Sequence, residues 1–400
     1  SYYELTKTKG VVRLNRIPEP SGRLHSSTLP SQHEKKNPSP ITVGVLTTAN
    51  KKGLPGGEKS RLFKEMVEYG KKQNISIYFF FTREVDWRRR RITGYLWTGR
   101  QWRKRIFPFP DIIYNRIRFR NIESQSQVKQ LLRRFERDPS VYLFNSRFLN
   151  KWEVYKALRT RKSTAKWLPE TVRFNHKSLT TMVKKYPAVF LKYSYGSLGK
   201  GIIKVRRLSD GQFAYAVAKK GGTNWKKCSS QDSLYRQLGY LSGNAYLVQR
   251  GIDLARYKGQ IFDLRTQFQK NGQGEWILTG VAVRVAGKNR FVTHIPNGGR
   301  AASYNEVMNE VFGSTSLTRK QVDEQLEEIR VQVPRVLEKE LRLSLAVLSL
   351  DIGVDKNGRI WIIEINSKPA SFDENDIRTA HWQNLMDYFI YVNQNRTTER

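Results

Sequence analysis

Acidic and amide side chains occupy two adjacent hydrophobic runs near the carboxyl end of the chain. Glu364 and Asn366 lie two residues apart in the run RIWIIEIN, so a β-strand would project both from one face. Asp351 lies in the preceding run, and an Asn-Gly turn predicts that the two runs form a hairpin. Oxygen ligands of this kind are costly to bury alone and suit Mg²⁺ shared with nucleotide phosphates. The alternative is a surface hairpin with incidental polar side chains, which explains the apolar neighbours of Glu364 less well.

A lysine followed by a glycine-rich loop is a second candidate for chemistry. Lys192 lies in an apolar run and is followed by Gly196, Gly199 and Gly201. Glycine lets backbone N–H groups approach phosphate oxygens, and the lysine adds a positive charge. The loop lacks the spacing of a Walker A motif and joins two predicted strands, so it would cover phosphates as a flap. Glycine-rich hairpins are common, so this motif alone does not define a nucleotide site.

The elements that must position these residues indicate a fold of the α/β and α+β classes. Residues 41–145 alternate strands and helices, as in a parallel α/β domain, and lack the GxGxxG motif of a dinucleotide site. Residues 146–400 contain further strands and long helices, with a smaller subdomain expected at about 180–250. Residues 1–40 are rich in Pro, Ser, Gly and charge, which predicts a partly disordered arm or linker.

The composition predicts a folded and strongly basic protein. Hydrophobic residues make up 38% of the 400 residues, enough for packed cores. Lys and Arg total 72 against 35 Asp and Glu, so the formal charge of +37 predicts non-specific binding of polyanions. Cys228 is the single cysteine, which excludes an intrachain disulfide. We expect no transmembrane segment and a cytoplasmic location, because no long apolar run or apolar leader is present.

One basic segment interleaves cations with aromatic residues. Arg88–Arg91 is a run of arginines, and Trp97–Arg105 adds tryptophans and further cations. This pattern is typical of surfaces that bind single-stranded nucleic acid. The alternative, which we favour, is a solvated hairpin face in a generally basic protein, since no zinc-finger, homeodomain or RNP motif is present.

Taken in chain order, these motifs resemble the ATP-grasp superfamily of carboxylate–amine ligases. Within it, the sequence from residue 41 onwards resembles the spore-coat-associated YheC/YheD-like branch. The resemblance implies an ATP-grasp fold with an N-terminal pre-ATP-grasp α/β domain. It also implies ATP and Mg²⁺ as cofactors, with Mg²⁺ expected as a pair of ions that Mn²⁺ could replace.

The resemblance implies a nucleotide site assembled from several motifs. The residues expected to neutralise phosphates or to form the flap are Lys151, Lys192, Gly196, Ser197, Gly199 and Gly201. The residues expected at the hinge that reads adenine, and at the ribose, are Gln249, Arg250, Gly251 and Asp253. Asp263 is expected in the same site, as the acid of an acid–arginine pair with Arg265.

The resemblance also implies a reaction centre. The expected metal ligands are Asp351, Glu364 and Asn366, and the expected catalytic cations are Arg265 and Arg284. Asn297–Gly299 would lie near the substrate. Two departures limit the comparison: Ser349 stands where D-alanine–D-alanine ligases have arginine, and the segment after Asn366 lacks the glycine of amino-acid ligases.

These roles imply an enzyme that phosphorylates a carboxylate and couples the acyl phosphate to an amine. Its carboxylate and amine substrates are expected to be anionic. The expected class is an acidic peptide or an envelope-related compound used in sporulation. The first alternative is a non-catalytic, ATP-binding interaction protein with spore-coat proteins as partners. The second is a nucleic-acid-binding protein. Either spore-related hypothesis places the protein in the cytoplasm or at the spore coat.

Overall fold

The structure is a computed structural model, and it describes residues 40–56, 60–196, 201–218, 223–288, 290–293 and 299–398. The predicted arm at residues 1–40 therefore lies outside the described residues, except for its last residue. Three main β-sheets, named here the first, second and third sheets in chain order, organise the described chain.

The first sheet contains parallel strands at its centre and an antiparallel hairpin at one side. In chain order the elements of this region are β1 Ile41–Leu46, β2 Thr48–Ala49, β3 Pro55–Gly56, α1 Ser60–Lys72, β4 Ile75–Phe80, β5 Val85–Asp86, β6 Arg91–Trp97, β7 Trp102–Pro108, β8 Ile112–Asn115, α2 Arg120–Glu123, α3 Ser126–Glu136 and β9 Tyr142–Phe144. The strand order is β5-β6-β4-β1-β8-β9, with β7 paired to β6. Strands β4, β1, β8 and β9 are parallel.

Helices cover both faces of this sheet, as the hydrophobic runs in its central strands require. The apolar side chains of α1, including Leu62 and Met66, pack on one face. The apolar side chains of α3, including Leu131 and Phe135, pack on the other. The predicted strand–helix–strand unit after residue 41 is confirmed by the parallel pairing of β1 with β4.

The second sheet is antiparallel throughout. Its region contains α4 Lys151–Arg159, α5 Lys162–Ala165, β10 Thr171–Arg173, α6 His176–Lys185, β11 Ala188–Tyr193, β12 Ile203–Arg207, β13 Phe213–Val217, β14 Lys226–Cys228, α7 Gln231–Leu238 and β15 Tyr246–Arg250. The strand order is β10-β15-β11-β12-β13-β14. Leu179 and Met182 of α6 and Leu234 of α7 pack in one core with the sheet.

The third sheet is also antiparallel and carries the long helices. Its region contains β16 Arg256–Tyr257, β17 Gln260–Lys270, β18 Trp276–Val285, β19 Arg300–Ala302, α8 Tyr304–Phe312, α9 Leu317–Leu341, β20 Val347–Val354, β21 Ile360–Asn366 and α10 Asn375–Thr398. The strand order is β19-β18-β17-β20-β21, with β16 beside β17. Helices α4, α8 and α9 share its core.

Helix α10 connects the first and third sheets. Trp382 and Phe389 lie in the same core as Val43 of β1, whereas Ile377 packs on Ala282 of β18. The described chain from residue 40 onwards thus forms a single unit, and the predicted division at residue 145 stays a prediction. Among the described residues, no helix combines the length and the apolar character needed to cross a bilayer.

Candidate functional site

The hairpin β20–β21 places the predicted metal ligands together. Asp351 lies directly opposite Glu364, and Ser349 lies opposite Asn366. The connecting turn has Gly358 at φ +77°, a left-handed conformation that glycine adopts without strain. The predicted hairpin is therefore confirmed, with two carboxylates and an amide near one end of the paired strands.

A lysine at the start of α4 pairs with one of these carboxylates. Asn150 caps the helix, because its side chain accepts hydrogen bonds from two backbone N–H groups of the first turn. Lys151 follows, and its Nζ lies 2.7 Å from Glu364 Oε1 and 2.6 Å from the carbonyl oxygen of Gly196. The cap thus fixes a cation between the metal-ligand hairpin and the beginning of the predicted flap.

An arginine on the adjacent strand pairs with the other carboxylate. Arg265 of β17 lies opposite Asp351 of β20, and its Nη1 is 2.6 Å from Asp351 Oδ1. Burial opposes ionisation of Glu364, but the charges of Lys151, Lys192 and Arg265 outweigh it and hold the pKa of that carboxyl below its usual value. Glu364 is therefore ionised at neutral pH and surrounded by cations.

The second phosphate-binding candidate, Lys192, is held by a chain of side chains. Its Nζ lies 2.6 Å from Gln249 Oε1, and Gln249 Nε2 donates to Thr171 Oγ1 at 3.0 Å. Burial, assisted by the charge of Lys151, lowers the pKa of Lys192 to about 8, although nearby carboxylates oppose this shift. Lys192 is thus a buried cation that points into the centre of the candidate site.

The predicted adenine hinge lies at the end of β15. The side chain of Gln249 orients Lys192, so it is not directed to a base in this structure. The N–H of Arg250 donates to the carbonyl of Glu170 at 2.8 Å, and that of Gly251 donates to the carbonyl of Ala188 at 2.9 Å. Contact of this segment with adenine stays a prediction.

Two more of the predicted site residues, Arg284 and Asp263, lie further along the third sheet. Arg284 binds Glu374 through both guanidinium nitrogens, at 2.7 and 3.3 Å. Asp263 accepts a hydrogen bond from Thr293, and burial followed by the charge of Asp351 raises its pKa to about 7. Arg265 forms its ion pair with Asp351, and the roles of Asp263 and Arg265 in the site stay predictions.

Other predicted residues lie at the surface or outside the described chain. The Asp253 carboxylate is 80% exposed and lies 3.4 Å from Lys356 Nζ, so it is a peripheral candidate for the ribose. The predicted site residues outside the described residues are Ser197, Gly199, Asn297 and Gly298.

The structure adds residues that sequence reasoning missed. Asn150 could have been found, because asparagine before a helix is a common cap. Thr171 and Glu374 had no local signal, since each meets its partner from a distant element. Arg120 contacts the chain just before α4, with Nη1 donating to the carbonyl of Leu149 at 3.0 Å. Burial lowers its pKa, and the carboxylate of Glu364 opposes that shift.

The donor set fits Mg²⁺. Glu364 and Asp351 each use one oxygen in an ion pair, and their Oε2 and Oδ2 atoms accept no hydrogen bond from a described residue. Asn366 Oδ1 accepts from the Lys368 N–H at 3.0 Å and keeps a second lone pair. No group of three or more acidic, His or Cys ligands occurs among the described residues, so water and phosphate oxygens would complete the coordination.

The arrangement of the three sheets is that of the ATP-grasp fold. The structure of the ATP-grasp ligase PsnB, complexed with minimal precursor, superimposes with a TM-score of 0.50 at 12% identity. The match covers 88% of this chain and 99% of PsnB. At this identity the likeness establishes the fold, which confirms the fold class predicted from the motifs.

The chain belongs to the YheC/D-like ATP-grasp family, whose sequence profile matches residues 140–392. The endospore coat-associated protein YheD of Bacillus subtilis (strain 168) is 27% identical over 332 residues, which is 82% of this chain and 72% of YheD. The endospore coat-associated protein YheC of the same organism is 26% identical over 271 residues, which is 67% of this chain and 73% of YheC. The predicted branch is therefore confirmed.

Proposed function

We propose that the protein is a Mg²⁺-dependent ligase that transfers the γ-phosphoryl group of ATP to a carboxylate and couples the acyl phosphate to an amine. The observation that carries this proposal is the pairing of Asp351 with Arg265 and of Glu364 with Lys151 across neighbouring elements. Family membership makes ATP the expected nucleotide. The reaction type goes beyond family membership and requires the experiment below.

The charge balance of the site favours binding of a polyphosphate. Lys151, Lys192 and Arg265 exceed the two carboxylates in charge, so the cluster retains a positive excess. The cations lie on three different elements, which are α4, β11 and β17. They can therefore contact the phosphate chain from different sides without rearranging the sheets. Asp351, Glu364 and Asn366 would hold Mg²⁺, which when bound would offset the charge that develops during transfer.

Arg284 is proposed to act at the substrate end of the site. Its guanidinium is held in a fixed orientation by Glu374. Burial raises the pKa of Glu374, but the hydrogen bond and charge of Arg284 outweigh burial, so the pKa lies below its usual value. A guanidinium held in this way can turn remaining N–H groups towards phosphate or acyl-phosphate oxygens. The flap predicted between Gly196 and Gly201 would have to exclude water, because water hydrolyses an acyl phosphate.

A second candidate function is an ATP-binding interaction protein of the spore coat. The observation that favours it is the naming of YheD and YheC as endospore coat-associated proteins. Both candidates predict nucleotide binding, and they differ in whether a carboxylate and an amine stimulate the release of ADP. We also propose that the substrate is used in sporulation or that the protein attaches to the coat.

The first experiment is calorimetric titration of ATP with and without Mg²⁺ into wild type and Glu364→Gln. We expect tight Mg²⁺-dependent binding by wild type and loss of the Mg²⁺ dependence in the variant. Glu328→Gln is the matched control, because Glu328 is a half-exposed glutamate that also pairs with a lysine. Unchanged Mg²⁺ dependence in Glu364→Gln would show that the metal assignment is wrong.

ADP release against a panel of carboxylates, amines and short acidic peptides then separates the two functions. Release that requires one carboxylate and one amine together would support the ligase and identify its substrates. Nucleotide binding without stimulated release would favour the coat-associated interaction protein. Absence of nucleotide binding would contradict both.

A further inference from the structure

The outer edge of the first sheet combines strong positive charge with an open strand. Strand β7 pairs with β6 along its whole length and with no other described strand. Residues 87–108 contain no Asp or Glu. In β7, Arg103, Lys104, Arg105 and Ile106 are consecutive and all exposed. An edge strand with both faces exposed is available to a partner.

The arginines of β7 lack acidic partners within the described chain. Lys104 pairs with Glu84 at 3.3 Å, but Arg103 and Arg105 form no ion pair with a described residue. The two arginines lie on the same face, about 7 Å apart, because side chains alternate along a strand. An extended partner with acidic residues at every second position would match this spacing.

The backbone of β7 also offers hydrogen bonds. The N–H of Thr98 donates to the carbonyl of Gln101 at 3.0 Å, which defines a hydrogen-bonded pair at the end of the hairpin. Hydrogen-bonded and non-bonded pairs alternate in an antiparallel ladder, so the peptide groups of Lys104 and Ile106 face away from β6. The Ile106 side chain is 65% exposed and provides an apolar contact beside these groups.

The aromatic residues of this hairpin are less available. Trp97 is only 8% exposed, and Lys64 lies 4.1 Å from its ring centroid. Trp102 packs edge-on against Phe79, with ring centroids 5.2 Å apart. Stacking of bases on exposed aromatic rings, the usual means of gripping single-stranded nucleic acid, is therefore disfavoured here. A protein strand fits the edge better than a nucleic acid does.

We propose that β7 is a docking edge for an extended acidic peptide segment of a partner protein, which adds as a further strand. Acidic side chains at alternate positions would meet Arg103 and Arg105, and apolar ones on the opposite face would meet Ile106. Main-chain hydrogen bonds would provide affinity and the arginines specificity. This proposal does not depend on the nucleotide site. The competing explanation is that the cations only protect the edge from self-association.

The test uses three fluorescein-labelled probes in anisotropy titrations with the full chain. The first is a seven-residue peptide of alternating Glu and Val, which matches the length of β7. The second replaces Val by Pro, which keeps the charge and prevents strand pairing. The third is single-stranded DNA of similar charge. We expect the Glu–Val peptide to bind about tenfold more tightly than the other two probes.

Two variants locate the binding surface. Arg103→Glu/Arg105→Glu should weaken binding of the Glu–Val peptide about tenfold, because two attractions become repulsions. The matched control is Lys226→Glu/Lys227→Glu on β14, another edge strand with two exposed cations, which should change binding less than about twofold. The substituted side chains are all exposed, and thermal unfolding checks that each variant folds.

Three outcomes would overturn the proposal. Equal binding of the Glu–Val and Glu–Pro peptides would indicate attraction by charge alone. Tighter binding of DNA, weakened in Arg103→Glu/Arg105→Glu, would assign the edge to nucleic acid. Self-association of the Arg103→Glu/Arg105→Glu variant, with its peptide affinity retained, would show that the arginines only protect the edge.

Discussion

Two lysine–glutamate ion pairs lie near the carboxyl end of β21, and they differ in how they are enclosed. The side chains of Lys368 and Glu123 are 2% and 8% exposed, whereas those of Lys151 and Glu364 are 15% and 23% exposed. Both oxygens of Glu123 accept hydrogen bonds from protein groups, but only one oxygen of Glu364 accepts one from a described residue. The first pair is closed, and the second leaves an oxygen for a ligand.

The difference follows from what each pair joins. The closed pair connects α2, beside the first sheet, to the segment that follows β21. Asn145 stabilises the same junction, because its amide contacts the backbone of Ala346, Val347 and Ser367. The open pair lies in a cluster of described residues whose cations outnumber its carboxylates. A buried pair with every polar atom satisfied fixes two elements together, whereas a partly satisfied pair is suited to exchange partners.

The largest effect is expected from breaking the closed pair. Lys368→Met should lower the free energy of unfolding by about 3–5 kcal/mol, because Glu123 would remain buried without a cation. Lys151→Met should lower it by about 1 kcal/mol, because water reaches Glu364. Urea denaturation monitored by tryptophan fluorescence measures both. Similar losses in the two variants would show that the difference in enclosure has no energetic consequence.

The double variant Lys368→Met/Glu123→Leu sharpens this test. Replacing both partners by apolar residues removes the uncompensated charge, so part of the lost stability should return. If the double variant is less stable than Lys368→Met, the hydrogen bonds of Glu123 to the backbone and to Asn115 contribute more than its charge costs.

A smaller but specific effect is expected when Lys192, a cation of the candidate nucleotide site, is removed. Lys192→Ala should weaken ATP binding about tenfold to a hundredfold, because a charge-assisted hydrogen bond to phosphate is lost. Lys184→Ala, an exposed lysine on α6, should change the affinity less than about twofold. Calorimetry measures both affinities. Equal effects would show that Lys192 does not contact the phosphates.

The low pKa of Lys192 predicts a change in protonation on binding. With a pKa of about 8, this lysine is about half protonated in the free protein at pH 8. Phosphate favours its charged form, so ATP binding should take up about half a proton at pH 8 and the affinity should fall above that pH. Titrations in two buffers of different ionisation enthalpy measure the uptake. Unchanged uptake in Lys192→Met would assign it to another group.

The smallest effect is expected from breaking a surface ion pair that belongs to neither the closed nor the open pair. Lys166 and Glu328 are about half exposed and pair on the surface. Lys166→Ala should change the free energy of unfolding by less than about 1 kcal/mol, because water solvates both charges. A loss as large as that of Lys368→Met would mean that burial does not set the order of these effects.

Local patterns in the sequence predicted much of the fold. The period of two and the Asn-Gly turn predicted the β20–β21 hairpin and the facing of Asp351 and Glu364. Hydrophobic periodicity predicted the parallel unit at β1 and β4. These predictions succeed because strand pairing across a short turn depends on neighbouring residues.

Contacts between distant elements could not be predicted in the same way. The side chain of Gln249 holds Lys192, because β15 pairs with β11, and no local pattern indicated this contact. Glu374 reaches Arg284 from the segment just before α10, and no local pattern indicated this partner. Each contact joins residues far apart in the chain, so no local spacing encodes it.

The sequence by itself determined the chemistry available to this protein: its acids, amide, lysines and arginines in an order typical of ATP-grasp proteins. Tertiary structure decided which of these groups meet. It paired Arg265 with Asp351, and it closed one lysine–glutamate pair while leaving the other partly open. The physical reason is that residue type sets the charge and hydrogen-bonding capacity of a side chain, whereas packing of distant elements sets its partners and its access to water.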